Sequence, residues 1–364
     1  MAELKHTINE LKQMQSLPLD IKIQMSCRRI KEWYDYWGGD VYVSFSGGKD
    51  STVLRDLIIN KCKLTDVPIV FVDTGLEFPE IKEFAKERAT VTLRPKKNFR
   101  EVLVEYGYPM ISKLVAKSVY YTKKHLNELT EDERKRALAP IISEEQLKDE
   151  VFNYRLLCKL RGMMGINNEL VVPNDPTVKR SYLNNQEKYA YLLDADFNIS
   201  HKCCNIIKES PLTIYGKKEK RYPYVGTMAD ESQLRTSTWL KTGCNAFKMK
   251  GTPRSAPMSF WTEQDVLQYI VENNIEIAKP YGDIIQDSKG KYVTTGCSRT
   301  GCIYCGFGCH LEKEPNRFQR LKETHPKLYD YCINGGEYNE EGKWQPSIDG
   351  LGLGHVLDFI GVKY

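Results

Sequence analysis

The residues best suited to chemistry in this 364-residue chain fall in two short runs. The first is Ser44, Phe45, Ser46, Gly47, Gly48, Lys49, Asp50 and Ser51. Two adjacent glycines let a backbone turn tightly and approach a ligand closely. The N–H groups of such a turn, and of a helix that follows it, favour an enclosed anion. Ser46 and Ser51 add hydroxyl donors, Lys49 adds a full charge, and Asp50 can orient the loop or meet a metal ion. The chemistry is the gripping of a phosphate group. The spacing is not that of the Walker A loop, G-x-x-x-x-G-K-[ST]. An ordinary strand–helix turn would explain a bare Gly-Gly, but it leaves Lys49 and the serines without a task.

The second run contains Cys297, Cys302, Cys305, Cys309 and His310 among glycines. Cys302 and Cys305 form C-x-x-C, a spacing that lets two thiolates hold one metal ion or cluster, and the glycines permit the turns this needs. Two further ligands must come from Cys203, Cys204, Cys244, Cys297, Cys309 or His310. An iron–sulfur cluster, a structural zinc, or buried thiols without metal are the readings. Cys27, Cys62, Cys158 and Cys332 are isolated and read as structural.

The elements that must position these runs can be read from periodicity. Residues 1–37 have helical spacing of apolar positions, as at Ile8, Leu11 and Met14. Residues 41–45 alternate as a strand and lead into the glycine turn; residues 51–61 return to helical spacing. Residues 68–73 hold four consecutive apolar residues, the mark of a strand buried on both faces of a parallel sheet. Residues 79–88 read as a helix and 89–93 as a third strand. Strand, turn, helix and strand in this order argue for a doubly wound α/β fold with a mostly parallel sheet. Residues 114–200 read as a largely helical insertion with balanced charge, in which Thr130 and Glu133 fit a capping box. A partner or nucleic-acid role for that insertion is the less favoured reading. Thr262 and Asp265 fit a second capping box. The expected divisions are an N-terminal helical segment (1–37), a nucleotide-binding α/β domain (38–113 and 201–281), the insertion (114–200) and a Cys-rich C-terminal region (282–364).

Composition bounds the class. Apolar residues at 41% and charged residues at 28% are the balance of a globular protein large enough to bury a core without disulfides. No stretch approaches the roughly 20 apolar residues of a membrane span, and no secretory h-region opens the chain. Eleven cysteines without an export signal imply a reducing, cytoplasmic setting in which clustered thiols serve as ligands or redox groups. A net charge of +5 is too mild to diagnose a nucleic-acid binder. Residues 202–260, however, carry eleven basic residues, among them Lys208, Lys241, Lys250 and Arg254, against four acidic ones. That stretch is either a solvated basic face or a funnel for an anion.

The SGGKDS run resembles the PP-loop, which holds the pyrophosphate of ATP. Asp73, Thr74, Gly75 and the following Leu-Glu-Phe-Pro-Glu resemble a segment of the phosphoadenosine phosphosulfate reductase family that lies near adenosine. Cys203, Cys204 and Lys208, then Gly226 through Ser232 with Arg235, and the Phe260-Trp261 helix also resemble that family. Thr227 and Met228 stand where the family usually has an arginine. The resemblance covers about residues 40–110 and 200–310. It implies an adenine nucleotide alpha-hydrolase-like fold, catalytic roles for Lys49 and Asp50, and nucleotide contacts from Ser44, Ser46, Gly47, Gly48, Ser51, Asp73, Thr74, Gly75, Gly226 and Arg235. It also favours a [4Fe–4S] cluster over zinc, as in adenylyl-sulfate reductases, which pair a Cys-Cys motif with a later C-x-x-C. The ligand set preferred here is Cys204, Cys244, Cys302 and Cys305, with Cys203, Cys297 and Cys309 as alternates.

The sulfonucleotide reductases carry a mobile C-terminal cysteine, whereas no cysteine follows Cys332 here. Their phosphate loop also departs from SGGKDS. The resemblance thus implies ATP with Mg²⁺ and an adenylylated acceptor, after which sulfur could displace the adenylyl group. The acceptor is an anion of undetermined kind: sulfate, nucleic acid or a metabolite. An electron or sulfur donor protein is an expected partner; a membrane is not. Reduction of a sulfonucleotide, with an internal cysteine such as Cys309 as nucleophile, is the second reading. A zinc-knuckle nucleic-acid module without catalysis is the third.

Overall fold

The computed structural model describes residues 4–151, 154–181, 184–248 and 251–364. Lys250 of the basic stretch and the first three residues of the N-terminal segment lie outside them. The chain divides into two compact units, residues 1–96 with 205–302, and residues 97–204 with 303–364.

The first unit opens with two helices. Thr7 and Glu10 cap each other's backbone at the start of α1 (Ile8–Gln15). In α2 (Leu19–Tyr36) the buried positions Leu19, Lys22, Ser26, Ile30 and Trp33 recur every three or four residues, so one face meets the core. Lys22 is buried there. Its ammonium donates to both Asp265 carboxylate oxygens at 2.7 Å and to the Gln15 carbonyl at 2.7 Å. Asp265 in turn caps the helix Glu263–Glu272 through Thr262, so one ion pair joins the N-terminal helices to a helix far along the chain.

The sheet follows the expected βαβ logic. β1 (Val41–Phe45) leads through the glycine turn into α3 (Lys49–Asp56); β2 (Ile69–Val72) leads into α4 (Pro79–Arg88) and then β3 (Val91–Leu93). All four residues of β2 are buried, as its unbroken apolar run demands. The strand order is β3, β2, β1, Tyr222–Val225, Arg254–Ser255, Asn245–Ala246. Every neighbouring pair is parallel except the last. Val43 pairs with Ile69 on one side and Tyr224 on the other, so β1 sits inside the sheet. The helix expected over 51–61 begins at Lys49, and its last turn is π-helical over Leu57–Lys61.

In the second unit a short parallel pair joins Met110–Ile111 to Gly306–Phe307. The same unit holds the helices Phe99–Tyr106, Lys113–Glu128, Pro326–Ile333 and Leu353–Phe359. Thr130 and Glu133 form the expected capping box on Glu131–Leu138. The insertion is less helical than its charge pattern implies. From 161 to 186 the described residues form turns and isolated bridges, such as Met164 with Leu170. Pro173 and Pro176 bar a helix interior, and Asn168 and Asn174 adopt positive φ. The Cys-rich region is also not one body. Residues 294–297 hydrogen-bond onto Pro280, Tyr281 and Asp283 of the first unit, whereas 303–364 belong to the second.

Candidate nucleotide site

The glycine turn is locked by its own hydroxyls. Ser51 Oγ donates to the Gly48 carbonyl at 2.9 Å and accepts from the Ser46 N–H at 3.2 Å. The Gly48 N–H donates to Ser46 Oγ at 3.3 Å, and Thr52 Oγ1 bonds the same Gly48 carbonyl. Gly47 has φ +74°, and a Cβ there would come within 3.0 Å of the Ile81 carbonyl. Gly226, at the end of the neighbouring strand, passes so close that its Cβ would lie 3.1 Å from the Asp50 carbonyl. Both glycines are therefore fixed by backbone geometry. Ser44 lies half-buried within β1, one residue pair from the turn.

Lys49 opens α3 and is only 3% exposed. Its main-chain N–H donates to the Tyr281 hydroxyl at 3.1 Å. Its ammonium donates to the Ser298 carbonyl at 3.1 Å and pairs with Glu263 at 3.1 Å and Asp50 at 3.7 Å. Burial pushes the Asp50 carboxyl above its ordinary range, and Glu263 adds to this; Lys49, Arg299 and Arg235 pull the other way without cancelling it. One Asp50 oxygen has no hydrogen-bond partner. Lys49, Asp50, Met228, Asp230, Glu231, Glu263 and Arg299 line a cavity of about 160 Å³. Arg235, at the start of Gln233–Thr242, binds Glu231, and Arg299 binds the other oxygen of the same carboxylate.

Asp73, Thr74 and Gly75 follow β2 directly, at the carboxyl edge where α/β sheets take ligands. None of them lines this cavity. Asp73 is held by Lys82 and Lys86 of α4, each at 3.0 Å; burial opposes ionisation, but these two lysines win and keep its carboxyl below the usual range. Thr74 bonds Glu77 as a local turn. Sequence reasoning missed Tyr281, Glu263, Ser298, Arg299 and Thr300. They reach the loop through tertiary packing, and no local spacing signals them.

The cysteines are less convergent than their pattern. Cys244 is buried in the first unit, where its thiol accepts from Ser259 Oγ at 3.3 Å and burial raises its pKa. Cys297 donates its thiol to the Pro280 carbonyl at 3.0 Å. Cys302 ends the first unit and Cys305 lies in the second, both half-buried. In the second unit Cys203 is buried and Cys204 half-buried. Cys309 is 1% exposed, donates to the Gly306 carbonyl at 3.1 Å, and has its pKa pushed up to about 11 by burial. Among the described residues, no three of His, Cys, Asp and Glu are gathered so as to hold a metal ion.

Among the described residues no helix is long and apolar enough to cross a membrane. An uncharacterised protein of Methanocaldococcus jannaschii is 39% identical over 88 residues, 22% of this chain and 21% of that protein. Another from the same organism is 39% identical over 85 residues, 22% of this chain and 18% of that protein. The chain thus spans about a fifth of the length of the curated relatives it matches. A crystal structure of phosphoadenylyl-sulfate reductase from Candida auris, in complex with phosphate, aligns at 13% identity and a TM-score of 0.35, over 79% of this chain and 99% of that one. That likeness is too distant to carry an argument. The family model for the phosphoadenosine phosphosulfate reductase domain matches residues 40–110 and 141–306, more than half of the chain. On that match the chain belongs to the phosphoadenosine phosphosulfate reductase domain family.

Proposed function

We propose that this chain binds ATP at the SGGKDS turn and transfers its adenylyl group to an acceptor, releasing pyrophosphate. The observation that carries the reading is Lys49, buried at the head of α3 with its ammonium on the wall of the cavity. An acceptor oxygen would attack the α-phosphorus, and the bond from that phosphorus to the bridging oxygen would break. Lys49 and the N–H groups of the turn would stabilise the charge that develops on the departing pyrophosphate. These donors already have partners, Ser46 Oγ for the Gly48 N–H, the Tyr281 hydroxyl for the Lys49 N–H and the Ser298 carbonyl for the ammonium, and the nucleotide's phosphates would take their place.

The carboxylates of the cavity support a metal-complexed nucleotide. Four of them, Asp50, Asp230, Glu231 and Glu263, face two cations, Lys49 and Arg299. A bare polyphosphate would be repelled there. Mg²⁺, which is commonly held by one or two carboxylates and completed by phosphate oxygens, would share that charge. Asp50 and Glu263 are the residues that would hold it.

Cys309 gives the reductase reading little support. A buried thiol with a raised pKa is a poor nucleophile. Metal analysis of anaerobically purified protein tests the iron–sulfur and zinc readings of the cysteine run. The function itself is tested by ATP–pyrophosphate exchange measured beside sulfite release from adenylylated and phosphoadenylylated sulfate. Exchange without sulfite is expected. Sulfite release without exchange would replace this reading with the reductase.

A further inference from the structure

Residues 298–300 lie beside the glycine turn, and 295–297 tie them back to Pro280, Tyr281 and Asp283. The Gly296 N–H donates to the Tyr281 carbonyl and the Cys297 N–H to the Pro280 carbonyl, both at 2.9 Å. The next three residues each engage the site. The Ser298 carbonyl accepts from the Lys49 ammonium at 3.1 Å, Arg299 binds Glu231, and Thr300 Oγ1 lies 2.7 Å from the Tyr281 hydroxyl that caps the Lys49 N–H.

Glu231 is nearly buried and accepts from three donors: Arg235, Arg299 and the Met228 N–H. A guanidinium carries five N–H donors in a fixed fork, so one bond to Glu231 orients Arg299 and leaves other donors for a ligand. Charge decides what that ligand is. Without Arg299 the cavity wall would hold four carboxylates against Lys49 alone.

We propose that Arg299 is a specificity-determining residue, which binds the outer phosphates of a nucleoside polyphosphate and is delivered to the site by the 298–300 strap. Glu231 is its positioning residue. A phosphate that takes the Lys49 ammonium replaces the Ser298 carbonyl as its acceptor, so the strap shifts as the ligand enters. Met228, which lines the same wall, supplies no charge. The inference rests on the nucleotide reading above.

The test is isothermal titration of the full chain with MgATP and with AMP, in wild type, Lys49→Ala and Arg299→Ala. The Arg299 side chain is 59% exposed, so its removal leaves the core intact; a melting curve for each variant checks this. Loss of a charge-assisted contact should weaken MgATP about tenfold in Arg299→Ala. AMP affinity, which involves no outer phosphate, should be unchanged. Arg299→Lys should recover only part of the loss, because an ammonium cannot form the fork. If Arg299→Ala binds MgATP as wild type does while Lys49→Ala does not, the role of Arg299 falls and the nucleotide reading stands. An equal loss for MgATP and AMP would make Arg299 a structural ion pair and overturn the proposal. If wild type binds neither nucleotide, the nucleotide reading itself falls.

Discussion

Lys49 and Asp50 are adjacent, of opposite charge, and buried to different effect. The Lys49 ammonium donates to the Ser298 carbonyl and pairs with the Glu263 and Asp50 carboxylates, so replacing it removes a cation from a site already rich in carboxylate. Lys49→Ala should lower ATP–pyrophosphate exchange about 10²- to 10³-fold, the scale for removing one preorganised donor. Asp50 is the converse case. Its carboxyl titrates above the unfolded value, so the folded chain holds a proton that the unfolded chain has released. Stability therefore falls as pH rises through that window, and the ionised group costs stability at neutral pH. Asp50→Asn should raise the Tm by a few degrees at pH 7, show a smaller difference at pH 4, and still depress exchange. An unchanged Tm at both pH values would remove the burial argument. At this scale the sequence was legible for Lys49, Asp50, the serines and Gly47, because the loop is local and each residue type has one evident use. It was silent on Glu263, Tyr281 and Arg299, whose place depends on where distant segments pack. Cysteine spacing also says nothing of the core around a thiol such as Cys244.

Among the elements, the turn depends on backbone that only glycine tolerates at low cost. Gly47→Ala faces a left-handed φ and a close approach to the Ile81 carbonyl. The left-handed conformation alone costs about 1–2 kcal/mol. The variant should melt lower and bind nucleotide poorly, and circular dichroism with titration would measure both. The Lys22–Asp265 pair tests a different join. Removing one partner of a buried pair leaves the other charge uncompensated, at about 3–5 kcal/mol. Lys22→Ala should lose about that much stability in a urea melt; a loss below about 1 kcal/mol would show that water reaches the pair. Strand and helix positions in the first unit were readable because β1, β2 and α4 pair clean periodicity with a turn signal. Both expected capping boxes were readable for the same reason: they are local hydrogen bonds. The π-helical end of α3 and the turns of 161–186 were not, since apolar spacing does not distinguish a π turn from an α turn, and a charge-balanced stretch mimics a solvated helix.

For the whole molecule, the fold and the family stand on the parallel sheet and on the family match over residues 40–110 and 141–306. The phosphate loop heads α3 in the middle of that sheet, beside the strand Tyr222–Val225 that Gly226 follows, so the topology gathers the loop and Gly226 at one edge. The division of the Cys-rich region between two units was not readable, because nothing in its composition changes at residue 302. The central claim is that the diglycine turn grips the phosphates of ATP. A crystal structure with a non-hydrolysable ATP analogue and Mg²⁺ tests it most directly. The β- and γ-phosphates should lie within hydrogen-bond reach of the Gly48 and Lys49 N–H groups, these having left Ser46 Oγ and the Tyr281 hydroxyl, with the Lys49 ammonium released from the Ser298 carbonyl. An analogue bound elsewhere, with the Lys49–Ser298 contact intact, would contradict it.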